Sequence, residues 1–61
     1  MDKKTEQVVR GIYDEIKKTQ SDMDWSWVKH EAESLMAGNS PCGTVGVIVQ
    51  EQLKKVGMIK A

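Results

Sequence analysis

The segment from Ser40 to Ile59 constrains the fold of this chain more than any other part of it. Ser40 is a favourable helix N-cap, and Pro41 suits a first helical turn, where its missing N–H costs nothing. Gly57 can take the left-handed conformation that ends a helix. The apolar residues between these ends recur at the spacing of one helix face: Val45, Ile48, Val49, Leu53 and Val56. The pattern predicts a helix that starts at Ser40–Pro41, ends at Gly57 and buries one face.

Two earlier segments have the same helical periodicity. The first runs from about Lys4 to Thr19, and its apolar arc consists of Val8, Val9, Ile12, Tyr13 and Ile16. The second begins near Asp24, with Ser21 or Asp24 as its cap, and ends at Gly38. Its apolar stripe consists of Trp25, Val28, Ala32, Leu35 and Met36. Three amphipathic helices with short links predict an all-α fold, a compact three-helix domain over residues 1–61.

The stripes together predict the core and the solvated face of the first helix. The predicted core consists of Val8, Ile12, Ile16, Trp25, Val28, Ala32, Leu35, Val45, Val49, Leu53 and Val56, with Met58 and Ile59 folded back over one end. On the outer face of the first helix, two acids precede a base by four residues, which predicts the ion pairs Glu6–Arg10 and Asp14–Lys18. Only two to four residues are predicted to separate the second helix from the third.

Composition argues against several classes of function. One cysteine and one histidine cannot supply the four or so ligands of a structural zinc site. Glu31, Glu33 and Glu51 have no spacing typical of a paired-carboxylate enzyme site. The prediction is a non-enzymatic protein with no metal, cofactor or small-molecule substrate. No apolar run approaches the roughly 20 residues of a membrane span, and no signal-peptide pattern follows the first residue, so a cytoplasmic location away from membranes is expected.

The second and third predicted helices resemble the paired helices of winged helix-turn-helix domains. The residues that carry this resemblance are Trp25, Val28, Ala32, Leu35, Thr44, Val45, Ile48, Val49, Leu53, Gly57 and Ile59. The resemblance covers residues 24–59 and implies a helix-turn-helix-like arrangement in which the third helix contacts DNA. The wing of that family is lacking. Between Val45 and Leu53 there is also one residue more than the usual spacing of the third helix.

One hypothesis is therefore a minimal DNA-binding regulator. The outward positions of its third helix would present Thr44, Val47, Lys54 and Lys55 to the groove. Phosphates would be contacted by Lys3, Lys4, Lys17, Lys18 and Lys29. Two features weaken this hypothesis: Glu51 would face the phosphates, and the nine basic and nine acidic residues balance.

The preferred hypothesis is a small regulatory or interaction protein that contacts another protein or a second copy of itself. Trp27 lies about 130° from the inward positions of its helix, and His30 shares its side. Val47 and Ile48 would extend the contact, since exposed aromatic and aliphatic side chains anchor interfaces. The alternative for Trp27 is packing against the preceding loop or over the first helix, and the alternative for His30 is an inert surface histidine near Lys29.

Two features at the start of the third helix allow further interpretations. Gly43 and Gly46 remove side chains, which would let a partner helix or a second copy approach closely. Cys42 would suit a reactive thiol in the first helical turn. Its position on the helical wheel matches Val45 and Val49, however, so a small buried apolar residue is the favoured prediction.

Overall fold

The computed structural model describes residues 2–60, so Met1 and Ala61 of the predicted domain lie outside the described residues. It contains three helices, α1 (Lys3–Thr19), α2 (Trp25–Met36) and α3 (Gly43–Lys55), and each helix contacts both others. No strand occurs among these 59 positions, 2 to 60. The predicted all-α, three-helix fold is confirmed. Within the same part of the chain, none of the helices has the length and apolar character needed to cross a membrane.

The start of α1 is capped by a side chain. Asp2 is the N-cap, and its carboxylate accepts a hydrogen bond of 2.8 Å from the backbone N–H of Thr5. Hydrogen bonding by the side chain and the backbone of Thr5 holds the pKa of Asp2 below its usual range. The helix therefore begins at Lys3, one residue earlier than predicted, and ends at Thr19 as predicted.

Glycines end α2 and α3 in the same way, as their positions in the sequence indicate. Gly57 has a φ of 76°, its N–H donates to the carbonyl of Lys54, and the N–H of Met58 donates to the carbonyl of Leu53. This pair of bonds is a Schellman motif, which satisfies carbonyls that would otherwise be left unpaired. Gly38, with a φ of 95°, ends α2 with the equivalent pair of bonds.

The predicted start of α3 is wrong. Cys42, with an extended backbone, is the N-cap, and the helix begins at Gly43, whose φ is 69°. Ser40 is exposed and Pro41 lies outside the helix, with its backbone close to Gly46 in the first turn of α3. The link to α2 consequently covers residues 37–42 and is longer than the two to four residues predicted. Cys42 is exposed, because a residue in the extended link does not follow the wheel of the helix.

The core agrees with the sequence prediction except at its edges. The buried apolar residues are Val9, Ile12, Tyr13, Ile16, Met23, Val28, Ala32, Leu35, Val45, Val49 and Leu53. Val8 and Trp25, predicted to be central, are partly buried and pack against this core, as do Met58 and Ile59. Val56 is 50% exposed, because it is the C-cap of α3 and its side chain lies past the last packed turn.

The contact between α2 and α3 depends on a buried glycine. A Cβ atom added at Gly46 would lie 3.1 Å from Oε2 of Glu31 on α2 and 3.1 Å from the carbonyl carbon of Pro41. Glu31 itself is only 6% exposed. Its carboxylate lies against the first turn of α3, where the helix dipole favours negative charge. The apolar stripe predicted for the second helix did not include Glu31, although this residue shares the arc of Val28 and Leu35.

Gly46→Ala tests this close approach, with Gly11→Ala as the matched control. Both glycines are helical, but a Cβ at Gly11 meets nothing within 4 Å. We expect Gly11→Ala to raise the free energy of unfolding by about 0.5–1 kcal/mol through helix propensity. We expect the free energy of unfolding of Gly46→Ala to be lower than that of Gly11→Ala by about 1–3 kcal/mol, the usual cost of overpacking. Urea denaturation followed by circular dichroism measures both, and equal stabilisation by the two variants would contradict the contact.

The exposure of Cys42 predicts that its thiol is accessible in the folded protein. We expect one thiol per chain to react with a chromogenic disulfide reagent in native buffer at a rate close to that in urea, because Cys42 is exposed. A thiol that reacts only after unfolding would instead support the buried position predicted from the helical wheel.

Candidate interaction surface

One flank of α2 faces α1. The indole of Trp25 meets the ring of Tyr13 edge to face, with centroids 5.6 Å apart and planes inclined at 65°. One turn further along α2, Nζ of Lys29 lies 3.5 Å from Oε1 of Glu6. An aromatic pair and an ion pair therefore join α2 to α1 along this flank.

The opposite flank of α2 carries Trp27, next to the side of the helix that contacts α3. Two residues span about 200° of an α-helix, so Trp25 and Trp27 point to nearly opposite sides. Trp27 lies one turn before Glu31, the residue in contact with Gly46 of α3. Trp25 is the tryptophan that packs against α1. The side chain of Trp27 lies on the flank away from α1 and is 50% exposed.

The four predicted partner-contact residues do not form one continuous strip. Val47 is 48% exposed and lies on the outer side of α3, about 100° around the helix from Gly46. His30 is exposed and neighbours Trp27 on the helical wheel of α2. Ile48 is partly buried against the core, on the flank of α3 opposite Gly46. We define the Trp27 surface as Trp27, His30 and Val47.

The predicted DNA-contact positions lie on the outer side of α3. Thr44, Val47 and Lys55 are exposed, whereas Lys54 is partly buried. Glu51 is exposed as well, and it occupies the same side of the helix as Thr44 and Lys55. A carboxylate therefore lies within the exposed face that would approach a phosphate backbone.

Both ion pairs predicted within α1 differ from those that form. Lys18 pairs with Glu15 at 3.1 Å, three residues away, and Glu6 pairs across to Lys29 on α2. For Lys18, the acid that forms the pair is Glu15, which lies closer in sequence than Asp14. For Glu6, the base that forms the pair is Lys29, which lies on another helix. Two of the lysines proposed to contact phosphates, Lys18 and Lys29, thus already have acidic partners.

Arg10, freed from Glu6, lies over aromatic rings. Its guanidinium carbon is 4.8 Å from the ring centroid of Trp25 and 5.2 Å from that of Tyr13. Nζ of Lys17 lies 5.4 Å from the Tyr13 centroid. Sequence analysis missed this cluster; its signal was the i, i+3 spacing of Arg10 and Tyr13 on one helix.

The open grooves in the described part of the chain include the following two. The first, of about 240 Å³, lies between α1 and α2 and is lined by Glu6, Gln7, Arg10 and Trp25. The second, of about 520 Å³, lies where α2 and α3 end and is lined by Leu35, Met36, Gly38, Gly57, Met58, Ile59 and Lys60. No group of three or more His, Cys, Asp or Glu within residues 2–60 is arranged to hold a metal ion.

The glycines at the start of α3 have different surroundings. Gly46 is buried and its space is needed by the chain itself, for Glu31 and Pro41. Nothing lies within 4 Å of a Cβ built at Gly43, where the positive φ accounts for the glycine. Neither glycine therefore requires a partner helix to explain it.

Comparisons of the chain with protein-family models, with curated proteins and with solved structures found no match. Three surfaces of the molecule are candidate sites: the Trp27 surface, the outer side of α3 and the groove beside Arg10.

Proposed function

We propose that this chain is a small non-enzymatic regulatory or interaction protein that acts through protein–protein contacts made by the Trp27 surface. The observation that carries the proposal is the half-exposed indole of Trp27. Tryptophan is among the residues most enriched at energetic hot spots of interfaces, because it buries a large apolar area and keeps one N–H donor.

The fold itself makes little use of the exposed half of Trp27. Trp25 already supplies the aromatic contact with α1. The contact between α2 and α3 is filled by Glu31 against Gly46. An indole that neither contact requires is available to a partner, and covering it would remove apolar area from water.

The neighbours of Trp27 suit the periphery of an interface. Val47 adds a second exposed apolar side chain, on α3, and His30 adds a polar ring next to Trp27 on α2. Interfaces of this kind combine an apolar centre with a polar rim. The balance of nine basic and nine acidic residues is compatible with a partner that is recognised without strong electrostatic attraction.

A second candidate function is a minimal DNA-binding protein related to winged helix-turn-helix domains. It is supported by the exposed outer side of α3 and by Lys54 and Lys55 in the last turn of that helix. Glu51 on the same side argues against it, as do the acidic partners of Lys18 and Lys29. We therefore place the protein–protein function first.

Trp27→Ala is the first test of the proposal, and Val56→Ala is its matched control. Val56 is as exposed as Trp27, at 50%, but lies at the end of α3. The self-association constant is measured by sedimentation, and any partner captured from the native source is titrated against each variant. We expect Trp27→Ala to weaken binding by about 30-fold or more, the effect of a hot spot of about 2 kcal/mol. Val56→Ala should leave it unchanged, and equal losses would overturn the proposal.

A duplex-DNA titration separates the second candidate from the first. Anisotropy of labelled random DNA is followed at about 50 and 200 mM salt, where several phosphate contacts would make affinity fall steeply. We expect no binding at either concentration. Binding that collapses with salt, is abolished by alanine at Lys54 and Lys55, and survives Trp27→Ala would establish the DNA-binding function instead.

A further inference from the structure

The groove between α1 and α2 has a guanidinium in an unusual setting. Arg10 lies over the rings of both Trp25 and Tyr13, which themselves pack edge to face. Within residues 2–60, no carboxylate lies within ion-pair distance of Arg10, and its guanidinium makes no hydrogen bond to any residue of that range. The charge is therefore held in place by ring faces, and its hydrogen-bonding edge is unpaired.

Such an arrangement favours a planar anion. A guanidinium presents parallel N–H donors that match the two oxygens of a carboxylate. Because the rings already restrict the side chain of Arg10, less rotamer entropy remains to be lost when a ligand binds. Trp25 supplies an apolar wall beside the charge, and the exposed Gln7 supplies a neutral amide.

The size and charge of the groove limit the ligand. At about 240 Å³, it is smaller than the roughly 300–1,000 Å³ of sites for drug-sized ligands, so it suits a single side chain. Glu6 lines the same groove and would repel an anion, but Nζ of Lys29 lies 3.5 Å from its carboxylate and offsets that charge. One carboxylate is therefore accommodated more easily than a polyanion.

We propose that the groove formed by Glu6, Gln7, Arg10 and Trp25 binds the carboxylate side chain of an acidic peptide segment, with the Arg10 guanidinium as the principal donor. The groove lies on the flank of α2 opposite Trp27, so this site is separate from the Trp27 surface and does not depend on it. The competing explanation is that Arg10 only shields Trp25 and Tyr13 from water.

NMR titration of the ¹⁵N-labelled protein distinguishes the two explanations. The probe is a short end-blocked peptide with one Glu flanked by small apolar residues, and its control has Gln in place of Glu. We expect saturable shifts of the indole N–H of Trp25 and the Nε–H of Arg10 at about millimolar Glu peptide, as for a ligand of few atoms. Equal shifts with the Gln peptide, or none with either, would overturn the proposal.

Three substitutions assign the effect to the groove. Arg10→Lys keeps a cation near the rings but removes the paired donors, and we expect it to weaken binding about tenfold. Lys18→Gln removes a cation of α1 outside the groove, and we expect little change. Glu6→Gln removes the repelling charge and should tighten binding a few-fold. Equal losses for Arg10→Lys and Lys18→Gln would show only a general effect of charge, contrary to the proposal.

Titrations with two small anions, acetate and inorganic phosphate, test whether the groove recognises a peptide carboxylate or a free anion. Acetate has the charged group without the peptide, and we expect it to bind at least about tenfold more weakly, because it cannot cover the Trp25 wall. Inorganic phosphate tests the anion type. Acetate binding as tight as the peptide, or phosphate binding tighter than both, would overturn the assignment to an acidic peptide. Overlay of the amide spectra of each variant with that of the wild type confirms that the fold is retained.

Discussion

The absence of a side chain at Gly46 lets Glu31 of α2 and the backbone of Pro41 lie close to the first turn of α3. A side chain at this position would meet the carboxylate of Glu31 and the backbone of Pro41 at the same time. The missing Cβ lets the link 37–42 pass across the first turn of α3, and it lets a buried acid face the start of that helix. The late start of α3, the longer link and the exposure of Cys42 all accompany this contact.

The contact between Glu31 and Gly46 also fixes which side of α2 remains exposed. With Glu31 against α3, and Trp25 and Lys29 against α1, the outer flank of α2 is left to Trp27 and His30. Two tryptophans only two residues apart therefore have different roles. Trp25 joins α2 to α1 and forms a wall of the Arg10 groove. Trp27 is half exposed on the other flank and forms the centre of the proposed protein–protein contact.

Sequence patterns predicted most of the fold because the relevant signals are local. Helical periodicity located three helices, and Gly38 and Gly57 marked two of their ends, since a positive φ there depends on the residue itself. The candidate surface was predicted less well. The exposure of Trp27 agreed with its wheel position and Ile48 is partly buried against the core, but neither the burial of Glu31 nor the cluster around Arg10 was expected.

Sequence alone thus determined the number of helices, most of their ends and the apolar faces that they bury, because these follow from propensity, periodicity and capping within a few residues. Only the tertiary structure decided the partners of the charged groups and the start of α3. Glu6 is paired with a lysine of another helix, and Arg10 lies over an indole supplied by α2. Ser40 and Pro41 favour a helix start locally, but in the structure α3 begins at Gly43, with Cys42 as its N-cap. Contacts between residues distant in sequence outweigh local preferences of about 1 kcal/mol, such as an N-cap.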